Sequence, residues 1–170
     1  IPSAVAAGIA KTLANDAIVL ESLGKPLATF WIRESIPIDA GAGKLGYTSL
    51  KPGSLIGVLE VVTEEWTDFR KQNLKPGIYT LRIGLQPKDG NHMGVSPSSE
   101  FLCLANASKD SKIDSLEHKA LMNLSKTALD TGHPVVLHLS AMPENFSGIA
   151  PTVARNELMH TVLQFRAKVL

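Results

Sequence analysis

Cysteine is nearly absent. Cys103 is the single one in 170 residues, which excludes an intramolecular disulfide and any multi-cysteine zinc site. Charge is also sparse, at 19% of residues, and it is balanced: 17 Lys+Arg against 16 Asp+Glu leave a formal net charge of +1. That balance offers neither the basic footprint of a nucleic-acid binder nor an acidic tail. No apolar run approaches the roughly 18 residues of a membrane span. Internal repeats and low-complexity tracts are missing too. The chain starts at Ile1-Pro2-Ser3-Ala4 without an initiator Met. A processed N-terminus is therefore expected, and with it a periplasmic or extracellular location.

Apolar residues make up 44% of the chain, and the mean hydropathy is +0.08. A chain of this size buries roughly 70% of its unfolded surface, enough for a core without metal or disulfides. One domain over 1–170 is expected, with 1–16 as an extended N-terminal segment. Thirteen glycines and ten prolines fall between short apolar runs, as turns do in an all-β domain. Period-two alternation is clear in Leu27 to Glu34 and clearest in Ile78 to Leu85. In the latter, Tyr79, Leu81, Ile83 and Leu85 share one face, and Ile78, Thr80 and Arg82 the other. Ile18 to Glu21, Leu55 to Val62, Phe101 to Ala105, Val135 to Leu139 and Leu158 to Val169 complete the strand candidates. Gly57 marks a bulge. Lys75-Pro76-Gly77 reads as a type II turn, and Asp110 to Lys112 as a charged turn. The one helix expected runs over about 115–130, where Leu116, Ala120, Leu121, Leu124 and Ala128 repeat at helical spacing. Asp114 and Glu117 resemble a capping box at its start. The fold class this predicts is mainly β, a β-sandwich of about seven to eight short strands with one α-helix.

Chemistry is harder to find. Gly41-Ala42-Gly43-Lys44-Leu45-Gly46 matches the letters G-x-G-x-x-G, but Pro52-Gly53 interrupts the segment where a phosphate-binding helix would have to run. G-x-S-x-G is absent. A cupredoxin is excluded because no His follows Cys103 closely, and Cys103 reads as a small core residue. The stretch Asp89-Gly90-Asn91-His92 is dense in groups that bind cations or sugars. It lies in a long polar loop from Gln86 to Ser99, and long loops often carry function. Gln86, Asp89, Asn91 and His92 are thus the candidate ligand-binding residues. Asp89, His92 and His133 are the candidate set for a divalent metal, zinc or copper, with His138 and Asp130 as further donors. No residue is nominated as catalytic.

The run from Leu74 to Gly94, with Pro76-Gly77-Ile78-Tyr79-Thr80-Leu81-Arg82 and then Gln86-Pro87-Lys88-Asp89-Gly90-Asn91-His92-Met93-Gly94, resembles a segment of exported β-sandwich proteins from planctomycetes and related environmental bacteria. The resemblance implies export and a sandwich, points to the Asp89–His92 loop, and carries no activity. The function expected is a non-catalytic binding or assembly module, an accessory subunit of an extracytoplasmic complex. A protein partner or a homo-oligomer is anticipated, without nucleic acid and without a transmembrane segment. Two alternatives stand beside it. One is a metal-binding protein or small metalloenzyme. The other is a carbohydrate-binding module, which needs Trp31 or Trp66 exposed beside the loop.

Overall fold

A computed structural model describes residues 1–39, 41, 46–86, 99–129, 131–140 and 147–170. The chain is mainly β. Six strands form one antiparallel sheet in sequential order: β1 (Ile18–Ser22), β2 (Lys25–Ile32), β3 (Leu55–Val61), β4 (Gly77–Leu85), β5 (Glu100–Asn106) and β6 (Val135–His138). A second, two-strand sheet is the hairpin of β7 (Thr152–Arg155) and β8 (Thr161–Gln164). The helices are few and short: α1 (Ala7–Ala10) and α2 (His118–Ser125).

Both faces of the six-strand sheet are covered. On the first face, Phe30, Leu59, Tyr79, Leu81, Leu104 and Val135 join the larger core cluster, and Leu163, Phe165 and Val169 from the C-terminal segment pack against it. The second face carries a smaller cluster. There Val5, Ile9 and Leu13, spaced by four as a helix face requires, meet Leu55, Val58 and Ala107. Segment 1–16, expected to be extended, therefore contains a helical turn held by its buried side chains. Near the middle of the second face stands Arg82, fully buried and paired with Asp110.

The two outer strands differ. Along β6, Phe69 N donates to Val136 O at 3.0 Å, and Val136 N donates to Asp68 Oδ2 at 3.3 Å, so this edge is covered. Strand β1 is paired on one side only, with β2. It is short and bulged between Leu20 and Glu21, both of which discourage unwanted pairing at an open edge.

Several local expectations are met. The bulge at Gly57 is present as a register shift between Leu55 and Gly57. A Cβ on Gly57 would sit 2.3 Å from Trp31 O, which accounts for the glycine. Others need correction. The helix is shorter than 115–130, and no side chain caps it. The cause is upstream: Asp114 O accepts from Arg82 Nη1 at 3.0 Å and Leu116 N donates to Gly53 O at 3.2 Å, so these peptide groups are already engaged. Gly77 does not have the positive φ of a type II turn; it opens β4, with Tyr79 Oη donating across the turn to Lys75 O at 2.6 Å. The alternating stretch Leu158 to Val169 is not one strand. It begins in the β7–β8 turn and holds only β8.

Candidate functional site

Strand register sorts the predicted site residues by the ends of the sheet. Gln86 follows β4 directly, and its N–H donates to Ser99 O at 2.7 Å. This bond joins the two described residues that flank residues 87–98. Asp89, Asn91 and His92 lie outside the described residues, as does Asp130. In the β5–β6 ladder Phe101 pairs with His138 and Leu104 with Val135. His138 is consequently at the same end of the sheet as Gln86. His133 precedes β6 at the opposite end and is exposed; five residues of extended chain separate it from His138, on the order of 16 Å. Among the described residues, no group of three His, Cys, Asp or Glu side chains is close enough to hold a metal ion.

At the Gln86 end, His138 stacks on Phe69 with ring centroids 4.8 Å apart and a 27° tilt. His160, from the hairpin, meets the same ring edge-on at 5.8 Å and 76°. Burial, and then repulsion from His160, hold His138 below its ordinary pKa of 6.5. Phe69 is set in place by a compact knot around Asp68. The Asp68 carboxylate accepts from Arg70 N at 2.9 Å, Gln72 N at 2.8 Å and Gln72 Nε2 at 2.8 Å.

A cleft of about 240 Å³ opens at the same end of the sheet, between the segment that continues β2 and the residues that lead into β3. Arg33 and Lys51 line it with Ser54 and Ser115. The backbone of Arg33 is fixed by its N–H bond to Ile56 O at 2.9 Å and by a bridge to Leu13. Its Nε is buried and has no hydrogen-bond partner among the described residues. Burial, and then repulsion from the Arg82 guanidinium, lower the pKa of Arg33 from its ordinary value. A second, wider cleft of about 620 Å³ lies along Ser111–Glu117.

Arg82 itself is saturated. Nε donates to Asp110 Oδ2 at 2.7 Å, Nη2 to Asp110 Oδ1 at 2.9 Å and to Lys112 O, and Nη1 to Gly53 O at 2.8 Å and to Asp114 O. Thr80 Oγ1 adds a bond to Asp110 Oδ2 at 2.7 Å. With every donor used, this pair is a clasp that ties two connecting segments to the sheet. Asp110, expected in a charged turn, is instead 3% exposed. Cys103 is buried as expected, and burial pushes its thiol up to about 12, so it is not a nucleophile at neutral pH. Trp31 and Trp66 are both half-buried and pack against the two core clusters.

The hairpin presents different chemistry. Its tip is Leu158-Met159, 63% and 69% exposed. Asn156 Oδ1 accepts from Leu158 N at 3.0 Å and His160 N at 2.9 Å, Met159 N donates to Asn156 O at 2.9 Å, and Arg155 Nη1 donates to Met159 O at 2.9 Å. Met159 has φ of 59°, a conformation that costs a side chain such as Met about 1 kcal/mol. Sequence reading missed both the tip and the Arg33–Lys51 cleft. Only Asn156 signalled a turn, and nothing local links Arg33 to Lys51. No family model, curated protein or solved structure matches the chain.

Proposed function

We propose that this chain is a non-catalytic binding module of an exported protein, and that it docks a protein partner through the tip of the β7–β8 hairpin. The observation that carries the reading is the Leu158-Met159 tip: two large apolar side chains held in water by four hydrogen bonds, one of them at positive φ. A loop selected only to turn would use Asn or Gly at that position. Strained backbone of this kind clusters at functional sites, and pre-ordering lowers the entropic cost of docking. Val153 on β7 and Ile149 before it are exposed as well, which extends the apolar surface. Leu163 and Phe165 pack on the core cluster, in keeping with the hairpin as the second layer of a sandwich.

The test replaces Leu158 by Ser and Met159 by Asn together. Asn accepts the left-handed conformation, so the thermal midpoint of the variant stays at or slightly above that of the wild type. The wild-type chain, immobilised and exposed to the exported fraction of the source cells, retains a partner that the variant loses. Equal retention by the two chains removes the hairpin from the reading.

A further inference from the structure

The Arg33–Lys51 cleft is built for an anion. Two cations line it, and no carboxylate lies within ion-pair distance of either among the described residues. Arg33 is permanently charged, and its Nε is buried without a hydrogen-bond partner among the described residues. A buried donor left unsatisfied is costly, and the nearby Arg82 guanidinium, although itself paired with Asp110, adds a lesser repulsion at Arg33. Asp110 cannot serve, because its two oxygens already take Arg82 and Thr80.

The rest of the lining narrows the class. Asp114 also borders the cleft, so two cations and one carboxylate leave a net charge of +1, which matches a monoanion better than a doubly charged phosphate. Pro37, Ile38 and Ile113 supply apolar wall, which suits an organic body. Ser54 and Ser115 supply hydroxyls. A guanidinium presents a planar fork that fits the two oxygens of a carboxylate. From these features we infer that the cleft at the end of β2 is a binding site for a small organic monocarboxylate, with Arg33 taking the carboxylate and Lys51 adding charge. The site is separate from the hairpin tip and does not depend on it.

The experiment is an NMR titration of the full chain that follows the Arg33 Nε–Hε resonance and the backbone amides around Ser54. The probes are butyrate, its neutral counterpart butyramide, and inorganic phosphate. Butyrate is expected to shift the Arg33 Nε–Hε signal saturably, while butyramide leaves it unmoved. An Arg33→Gln variant weakens butyrate binding by about tenfold or more, the scale of a charge-assisted pair. Lys51→Gln, at an exposed-side position of the cleft, weakens it several-fold and keeps the inference testable if Arg33→Gln unfolds. Amides around Lys75, far from the cleft, report folding and nonspecific salt effects. Any of three results overturns the inference: no saturable shift with butyrate, an equal response in the Lys51→Gln chain, or tighter binding of phosphate than of butyrate.

Discussion

Leu81 and Arg82 are neighbours on β4, point to opposite faces of the sheet, and are both buried almost completely. The first face is held together mainly by apolar area, with Leu81 set between Gly57 of β3 and Leu104 of β5. The second has fewer apolar residues and closes around a charged clasp. The contrast shows two ways of covering a sheet. Apolar packing is tolerant of direction, since many small contacts share the load. A buried ion pair is directional: it fixes Gly53, Lys112 and Asp114 at defined points, but each member becomes a liability if the other is removed.

The largest expected effect breaks that clasp. Arg82→Met leaves the Asp110 carboxylate buried without its counter-charge and is expected to cost about 3–5 kcal/mol. Leu81→Ala on the other face falls in a similar range, about 2–5 kcal/mol, through lost burial and a cavity. Magnitude alone does not separate them; coupling does. Adding Asp110→Leu to Arg82→Met removes the orphaned charge, so the double variant is less destabilised than the sum of the two single changes. Adding it to Leu81→Ala gives simple additivity. Urea unfolding of the wild type and the five variants measures this, and additive behaviour of the Arg82–Asp110 pair would falsify the clasp.

A smaller effect tests how rigidly the clasp holds its segments. Gly53 has φ of 82°, and a Cβ there would lie 1.9 Å from Leu116 O and 2.6 Å from Leu116 N. Both obstacles are backbone, which cannot rotate away. Gly53→Ala is therefore expected to cost about 2–3 kcal/mol, combining a disfavoured φ with displacement of the segment that supplies Asp114 O. Gly24, in the β1–β2 turn, has φ of 73° and open space around it. Gly24→Ala meets only the conformational penalty, about 1 kcal/mol. Equal losses in the two variants would mean that the contact with Leu116 relaxes freely.

This difference between the faces also explains what the sequence made legible. Alternation located β2 and β4 to within a few residues, because apolar residues at period two need no partner to be recognised. It assigned Tyr79, Leu81 and Ile83 to one face correctly. The second face was opaque, since Thr80, Arg82 and Asp110 read as surface residues until they are seen to satisfy one another. Arg82 engages Asp114 O and Gly53 O engages Leu116 N, which shortens α2 in a way no helical period reveals. The Arg33–Lys51 cleft was not legible either, because it arises only when the residues after β2 and before β3 meet in space.

The smallest effect lies where the second face ends. His138 is on the same face as Cys103 and Arg82, two pairing positions beyond Val136. It is a titratable group disfavoured in its charged form, by burial first and by His160 second. Its folded pKa is below 6.5 while the unfolded chain titrates near that value, so the unfolded state takes up the proton first as pH falls. The contribution is complete above about pH 6.5, declines as pH drops below that value, and levels off once the folded pKa is passed. Urea midpoints at neutral and mildly acidic pH therefore differ more for the wild type than for His138→Phe, which keeps a ring against Phe69 but carries no proton. His160→Asn removes only the lesser cause, so its midpoint difference lies between the two. A His138→Phe chain with the wild-type pH dependence would assign the acid sensitivity to other groups, and the end of the second face would then be no weaker than its charged centre.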